Sequence, residues 1–188
     1  ADGTREGGKP YCENYDEVEW SAACFDYYAE VGRDARGSSI PPVASHQVNF
    51  TIKEPYGVVA AIVPWNYPLL LMAWKVAAAL AAGNTVVVKP SEETPLATLD
   101  LAAAFSALPR GTVNIVNGFG GEVGEALVTH PGVDLVALTG SLATGQRVGE
   151  PCAREVKKCH LELGGNDPFI VFPDADLEVA AKGGVWAA

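Results

Sequence analysis

The sequence predicts an α/β protein with an open, mostly parallel sheet and helices on both faces, together with an N-terminal helix and a β-arm. From Tyr56 onward, short apolar runs alternate with longer helical patterns. The runs are nearly continuous in Val, Ile, Leu and Ala, which is typical of parallel strands covered on both faces. Their starts lie about 22 to 27 residues apart, which leaves room for a helical crossover between consecutive strands.

The first 55 residues differ in kind and are predicted to form an appendage to the sheet. One amphipathic helix is expected over residues 18–31, followed by a linker through residues 37–42. The apolar face of this helix would comprise Val18, Ala22, Phe25 and Ala29. Residues 48–52 then alternate between apolar and polar, which indicates a half-exposed strand. Because such a strand can pair with another chain, this β-arm is a candidate oligomerisation element.

Six apolar runs in the rest of the chain are predicted as strands, with helices between them. The strand runs cover residues 57–63, 84–89, 111–116, 133–139, 156–163 and 168–172. Pro68 stands in the first turn of the first intervening helix, and Gly83 follows its end. Thr94 and Pro95 have the pattern of an N-cap and a first helical residue for the second helix. Later helices are predicted after the glycines at 118–124, after Gly140 and Ser141, and after Asp174 or Asp176.

Net charge argues against a nucleic-acid partner, and helix-breaking residues argue against a membrane-spanning helix. The 188 residues carry a net charge of -10, which would repel the phosphates of nucleic acids and anionic membrane surfaces. The stretch 55–74 is nearly uncharged and about as long as a membrane-spanning helix. However, Pro64, Asn66 and Pro68 interrupt it and predict a strand followed by a buried helix. We therefore expect neither a nucleic-acid partner nor a membrane span.

The cysteines indicate the cellular compartment. Cys12, Cys24, Cys152 and Cys159 are widely spaced and form no CxxC pair. This usage is typical of a reducing compartment and predicts a cytoplasmic protein without a metal site. The first residues contain neither the basic nor the apolar region of a signal peptide, so the chain begins like a cut end.

Two glycine-rich turns, at residues 118–124 and 140–145, each follow a strand and open a helix. In that context, backbone amides and a helix N-terminus can receive a phosphate. Ser141 can cap its helix and also bind a phosphate. The first turn is not a clean dinucleotide fingerprint, and tight-turn packing is the alternative interpretation. Two such turns in one sheet favour a dinucleotide.

Four polar residues at or just after the carboxyl ends of strands are candidate site residues. Lys89 and Glu92 would lie where open α/β sheets bind ligands and could bind ribose hydroxyls; an exposed loop with ordinary charges is the alternative. Asn66 interrupts an apolar run and could hold an oxyanion, or it could be a turn residue or N-cap. Glu162 stands between two leucines, where a desolvated carboxylate would suit a general base, although a lone Glu at a strand end can also be structural.

The order and separation of four motifs resemble the aldehyde dehydrogenase superfamily. The motifs are PWNYP (64–68), KPSEETP (89–95), LTGS (138–141) and LELGGNDP (161–168). The resemblance extends from GGKP (7–10) to GGVWAA (183–188). It implies a Rossmann-like dinucleotide-binding domain over residues 56–165, preceded by residues 1–55 and followed by the start of a catalytic domain at 166–188.

The resemblance also implies roles for individual residues. Asn66 would hold the oxyanion, and Glu162 would activate the water that releases the product. The substrate tunnel would include Tyr67, Leu71 and Trp74. The cofactor would be bound by Ile62, Val63, Pro64, Trp65, Lys89, Glu92, Gly120, Gly121, Gly124, Gly140, Ser141, Gly145, Leu163 and Gly164. The family reaction starts with attack of a cysteine thiolate on the aldehyde; hydride then passes to NAD(P)⁺ and water releases a carboxylic acid.

Two departures from the family pattern bear on these expectations. Leu138 and Leu142 stand where the family usually has an aromatic residue and a Thr. The family nucleophile follows the glutamate in a GQxC motif, and the 26 residues after Glu162 do not contain it. The resident cysteines are more simply packing residues; in a strand, Cys159 and Glu162 would point to opposite faces. We therefore expect the 188-residue chain alone to bind cofactor without turnover.

These observations predict the partners. Glu92 would accept ribose hydroxyls and repel a 2′-phosphate, which favours NAD, while nearby Lys89 keeps NADP possible. The substrate would be a small aldehyde, and the longer protein would be a homo-oligomer. A non-catalytic dinucleotide-binding or assembly module is the alternative, against which Asn66 and Glu162 argue.

Overall fold

A computed structural model describes residues 2–187 and confirms the α/β class. The helices are α1 (Asp2–Gly7), α2 (Tyr11–Val31), α3 (Pro68–Ala81), α4 (Leu96–Asp100), α5 (Glu125–Thr129), α6 (Leu142–Arg154) and α7 (Leu177–Ala187). The strands are β1 (Ser39–Ile40), β2 (Asn49–Phe50), β3 (Val58–Ile62), β4 (Thr85–Lys89), β5 (Val113–Ile115), β6 (Leu135–Gly140) and β7 (Lys158–Leu163). A 3₁₀ segment (Leu101–Ala107) extends α4, and a π-helical turn (Gly120–Gly124) leads into α5.

The main sheet has five strands in the order β5-β4-β3-β6-β7, and every pair in it is parallel. From β3 the chain builds outward through β4 to β5 and then returns to place β6 on the other side of β3. The crossovers therefore reverse direction between β3 and β6. In open α/β sheets, ligands bind at the carboxyl ends of the strands next to such a switch point.

Apolar side chains cover both faces of this sheet, as the continuous apolar runs predicted. On one face, α3 packs Met72 and Val76 against strand residues such as Val59 and Val86. The other face is covered by α5 and α6; its buried residues are Ala60, Val128, Val133, Val136, Leu138, Val148 and Cys152. The helix α2 lies outside α3, and its Phe25 ring is 5.9 Å from the ring of Phe105.

Two predicted elements differ from the structure. The helix predicted over residues 18–31 is α2, which begins at Tyr11 rather than Val18. Its buried residues are the polar Glu17 and Ser21, while Val18 is exposed. The run 168–172 is not a strand; it is exposed and irregular. Among residues 2–187 it pairs with no strand of either sheet.

Helix starts were predicted with mixed success. Asp176 caps α7 by accepting hydrogen bonds from two backbone amides of the first turn, at 2.9 and 3.2 Å. Thr94 was wrongly predicted as the cap of α4. Its hydroxyl instead donates to the carbonyl of Trp65, and the first amides of α4 donate to the carboxylate of Glu6 at 2.6 and 3.0 Å. A distant carboxylate therefore replaces the local cap.

The β-arm forms a short antiparallel hairpin in which β2 pairs with β1. Part of the predicted linker thus becomes a strand. The apolar side chains of the arm are largely exposed, as expected of a strand with one free edge; they are Val48, Phe50 and Ile52. No helix within residues 2–187 combines the length and the apolar character needed to cross a membrane. All four cysteines are free thiols.

Candidate cofactor cleft and catalytic cavity

The candidate site lies at the carboxyl edge of the main sheet, where four neighbouring strands end. Asn66 follows β3, Lys89 ends β4, Ser141 follows β6, and Glu162 lies near the end of β7. The strands are parallel and in register, with Ile62 opposite both Lys89 and Leu138 across the pairings of β3. Residues far apart in sequence therefore meet at one edge, at the switch point between β3 and β6.

A cleft of about 290 Å³ opens on the α5 and α6 side of this edge. It contains three of the predicted cofactor residues, Ile62, Gly120 and Gly124. The guanidinium of Arg147 on α6 donates to the carboxylate of Glu125 on α5 at 2.8 Å, so an exposed ion pair lies on its wall. The cleft is bounded by the end of β3, the π-helical turn and two helices.

Lys89 and Glu92 interact with each other beside this cleft. The buried Lys89 ammonium donates to a Glu92 carboxylate oxygen at 3.0 Å and to the Pro90 carbonyl at 2.8 Å. The other Glu92 oxygen accepts from the Gly120 amide at 3.2 Å. A hydrogen bond from its own backbone amide, followed by those from Lys89 and Gly120, holds the pKa of Glu92 below its usual value. Glu92 is thus an oriented carboxylate that retains solvent access.

Ser141 is the N-cap of α6, as the sequence predicted. Its hydroxyl accepts from the Thr144 amide at 3.1 Å and lies 2.9 Å from the Thr144 hydroxyl. At Gly145, a Cβ atom would approach the side chain of Leu163 to 2.5 Å, so this glycine permits close packing of α6 on β7. At Gly121, by contrast, a Cβ would meet no atom within 4 Å. The first turn of α6 therefore has a polar cap suited to phosphate binding, while the open backbone lies at Gly121, in the π-helical turn before α5.

The other predicted cofactor residues do not line the cleft. Val63 is buried, and its amide donates to the carbonyl of Lys89 at 3.1 Å. Trp65 is exposed beside α1 and α7, away from the α5–α6 cleft. Pro64, Gly140 and Leu163 are half-buried at the strand ends, and Gly164 is exposed.

A larger cavity of about 1180 Å³ lies on the α2 and α3 side of the edge. It brings together both candidate catalytic residues and all three predicted tunnel residues, which are Asn66, Glu162, Tyr67, Leu71 and Trp74. The sequence did not identify its remaining lining residues, many of them on α2: Trp20, Ala23, Cys24, Tyr27, Tyr28, Leu70, His160 and Asp167. The α2 helix had no motif that marked it as part of a site.

Glu162 is exposed in the cavity, whereas the sequence led us to expect a desolvated carboxylate. The reason is its position on β7, which lies at the edge of the sheet and alternates exposed and half-buried residues. Leu161 and Leu163, its sequence neighbours, point to the opposite face. The half-buried Cys159 also lies on the opposite face from Glu162, as the spacing predicted.

Lys75, the single charge of α3, is a functional candidate to which the sequence analysis assigned no role. It is buried, and its ammonium donates to the hydroxyl of Thr139 on β6. Burial lowers the pKa of Lys75 from 10.5 to about 8, and the negative charge of Glu162 partly opposes that shift. A lone lysine in an otherwise apolar helix was the signal that could have identified it.

The loop that contains Asn66 is held by residues of the N-terminal helices. Glu17 of α2 accepts hydrogen bonds from the amides of Leu69 and Leu70 and so caps α3, a role that Asn66 was considered for. Lys9 pairs with Glu17 and donates to the Asn66 carbonyl at 3.1 Å. Within residues 2–187, no cluster of His, Cys, Asp and Glu has the arrangement of a metal site.

Comparison with known proteins gives the same family throughout. A model of the aldehyde dehydrogenase family matches residues 3–188. The chain is 49% identical to a mitochondrial succinate-semialdehyde dehydrogenase from Arabidopsis thaliana over 96% of its length and 34% of that protein's. It is 46% identical to betaine aldehyde dehydrogenase 1 from rice, over 98% and 37% of the two lengths.

Solved structures agree with this assignment. An NADP-dependent enzyme from Escherichia coli superposes with a TM-score of 0.92 at 43% identity, over 97% of this chain and 38% of the other. A betaine aldehyde dehydrogenase variant from Staphylococcus aureus, solved in complex with NAD⁺, gives a TM-score of 0.92 at 40% identity, over 96% and 36%. The chain thus spans little more than a third of the length of the relatives it matches.

Proposed function

This chain belongs to the aldehyde dehydrogenase family, and from that premise we propose that it supplies the cofactor site, the oxyanion-binding amide and the general base of an NAD⁺-dependent aldehyde dehydrogenase. The enzyme would oxidise an aldehyde to a carboxylic acid through a cysteine thiohemiacetal and thioester. The observation that carries the proposal is that Asn66 and Glu162 line the same cavity beside the carboxyl edge of the sheet.

The two residues have complementary roles in this proposal. The side-chain amide of Asn66 donates a hydrogen bond to the oxygen that becomes negatively charged when a thiolate attacks the aldehyde. The carboxylate of Glu162 accepts a proton from the water that hydrolyses the thioester. Exposure of Glu162 to the cavity supports this role, because the attacking water must reach it. NAD⁺, when bound, accepts the hydride from the aldehyde carbon.

Several observations support a dinucleotide as the cofactor. The cleft adjoins the topological switch point, the N-terminus of α6 carries the Ser141 cap, and Gly121 has open space around it. Lys89 and Glu92 present a cation and a carboxylate for ribose hydroxyls. We favour NAD⁺ over NADP⁺ because the ionised Glu92 would repel a 2′-phosphate, although the relatives include an NADP⁺ enzyme.

The cavity also supports a substrate class. Aromatic rings and two carboxylates, those of Glu162 and Asp167, are prominent in its lining; the rings belong to Trp20, Tyr27, Tyr28, Tyr67 and Trp74. Among residues 2–187, none of the side chains that line it is a Lys or an Arg. Aromatic faces and carboxylates attract cations and repel anions. We therefore propose an aldehyde whose far end is neutral or cationic, as in the relatives named betaine aldehyde and aminoaldehyde dehydrogenase, rather than a carboxylate-bearing aldehyde.

We also propose roles for the remaining regions. The exposed apolar hairpin of β1 and β2 supports a homo-oligomeric enzyme in which this arm contacts another subunit. Residues 56–165 would be the dinucleotide-binding domain and 166–188 the start of a catalytic domain. A cytoplasmic location is still a prediction, since similar proteins include a mitochondrial and a chloroplastic one. A purely non-catalytic module would have no use for the Asn66 and Glu162 pair.

The test uses the intact gene product with an aldehyde and NAD⁺, and it follows NADH absorbance. Asn66→Ala should lower kcat by roughly 10²- to 10³-fold, the usual effect of removing one oxyanion donor. Glu162→Gln should slow thioester hydrolysis while leaving the first burst of NADH. Asn114→Ala and Glu178→Gln, both at exposed positions, are the matched controls. Unchanged kcat in both site variants would contradict the proposal, and equal kcat/KM for succinate semialdehyde and an aminoaldehyde would contradict the substrate class.

A further inference from the structure

Glu17 is a charged residue with 0% exposure, and its two carboxylate oxygens have different partners. Oε1 accepts hydrogen bonds from the amides of Leu69 and Leu70 at 2.8 and 3.1 Å. These amides belong to the first turn of α3, where a negative charge also interacts favourably with the helix dipole. Oε2 accepts from the ammonium of Lys9. Glu17 therefore joins the start of α3 to a lysine from the turn between α1 and α2.

Lys9 in turn holds two successive residues of the loop after β3. Its ammonium donates to the backbone carbonyl of Asn66 at 3.1 Å and lies 3.8 Å from the ring centroid of Tyr67, within the range of a cation–π interaction. The Lys9 side chain is only 15% exposed, so water competes weakly for these contacts. Tyr67 and Asn66 both line the catalytic cavity.

A cap for α3 does not by itself require this arrangement. A neutral side chain can accept the same two amide hydrogen bonds, and burying an ion pair is often no better for stability than apolar packing. What the Lys9–Glu17 ion pair adds is a fixed backbone orientation at Asn66. Because the Lys9 ammonium binds the Asn66 carbonyl, it fixes the peptide plane that follows Asn66 and with it the direction of the Asn66 side chain.

We propose that Lys9 and Glu17 are positioning residues that orient Asn66, acting on its backbone from the side of the loop occupied by the N-terminal helices. This inference rests on the oxyanion role proposed for Asn66. Neither Lys9 nor Glu17 lines the cavity, so both act through the loop rather than on the substrate. The N-terminal helices thereby contribute to the chemistry of a site built on the sheet.

The first test is structural and uses the 188-residue protein. Lys9→Met removes the ammonium and keeps an apolar stem, while Glu17→Gln keeps an oxygen for the α3 amides. NMR should show a displaced Asn66 side-chain amide signal in both variants. Hydrogen exchange at Leu69 and Leu70 should accelerate at least about tenfold in Glu17→Ala but change little in Glu17→Gln.

The matched control is the exposed pair Lys182 and Glu178 on α7, which has the same charges at 2.8 Å. Lys182→Met and Glu178→Gln should leave the Asn66 signal in place. An Asn66 signal that is unchanged in Lys9→Met and Glu17→Gln would overturn the proposal. Lys9→Arg, which restores the cation, should return the signal toward its original position.

The second test is a double-mutant cycle on the intact gene product. Lys9→Met should lower kcat by roughly ten- to a hundredfold with little change in KM for the aldehyde, as expected when a catalytic group is misplaced. The same substitution should have no further effect on an Asn66→Ala background, because the residue it positions is gone. Equal losses of kcat on both backgrounds would overturn the proposal, as would a loss of thermal stability alone.

The two proposals fail in different ways. If Asn66→Ala leaves kcat unchanged, the oxyanion role of Asn66 is wrong, and the NMR signal still decides whether Lys9 orients the side chain. If Asn66→Ala lowers kcat and Lys9→Met does not, the oxyanion role stands and the positioning role is wrong.

Discussion

Replacing Lys75 by Met should stabilise the protein near neutral pH, and the size of the effect follows from its burial. Desolvation lowers the pKa of Lys75 from 10.5 to about 8, with partial opposition from Glu162. Since one pH unit corresponds to about 1.4 kcal/mol, the charged lysine destabilises the folded state by about 3 kcal/mol. Methionine removes this penalty but leaves the Thr139 hydroxyl without its donor, which costs about 1 kcal/mol. The expected net gain is about 2 kcal/mol.

The pH dependence gives the more specific signature. Below about pH 8 both the folded and the unfolded chain hold the Lys75 proton, so the folded state bears the whole penalty. Between about pH 8 and 10.5 the unfolded chain holds more protons than the folded one, and the stability contributed at this site rises with pH. The gain in the free energy of unfolding from Lys75→Met should therefore decrease by most of the penalty of about 3 kcal/mol across that pH interval.

The assay is urea unfolding of both proteins at several pH values between about 7 and 10.5. Subtracting the two curves removes the titration of the groups that they share. Lys182→Met, at an exposed lysine on α7, should give a difference close to zero at every pH. A difference between Lys75→Met and the parent that is independent of pH would refute the reasoning, because it would mean that burial does not disfavour the charged lysine.

Three further predictions concern other residues. Glu92→Gln should raise the affinity for NADP⁺ relative to NAD⁺ by roughly fivefold, because each charge pair at about 4 Å in water is worth about 1 kcal/mol; calorimetric titration with both cofactors measures this, and an unchanged ratio contradicts it. Ser141→Ala should lower the free energy of unfolding by about 1 kcal/mol through loss of the α6 cap; Ser106→Ala, at an exposed serine, is the control in urea unfolding. Burial raises the pKa of Cys152 to about 11, so a thiol reagent should label exposed Cys12 first and Cys152 only on unfolding; rapid labelling of Cys152 contradicts this.

The sequence predicted the elements whose signal is local. The strands β3, β4 and β6 appear as apolar runs, and the caps of α6 and α7 appear as Ser141 and Asp176 beside their helices. The edge at which the candidate site residues meet followed from the same runs, because parallel strands end on one side. The run 168–172 was wrongly predicted as a strand, because a local apolar run does not show whether a partner strand is present.

The contacts that hold the site together are long-range, and nothing local in the sequence marks them. Glu6 caps a helix 90 residues away, Glu17 caps one 52 residues away, and Lys9 binds a carbonyl 57 residues away. Each of these residues occurs in a polar stretch that is typical of a solvated helix face. Their burial depends on how α1 and α2 pack against the start of α3 and α4, which is a property of the tertiary structure.

Calorimetric titration of the protein with NAD⁺ and with NADP⁺ tests most directly the claim that the carboxyl edge of this sheet binds a nicotinamide dinucleotide. We predict saturable binding of one NAD⁺ per chain, weaker binding of NADP⁺, and loss of NAD⁺ affinity in Lys89→Met. No detectable binding of either cofactor would contradict the claim, and tighter binding of NADP⁺ would contradict the role assigned to Glu92.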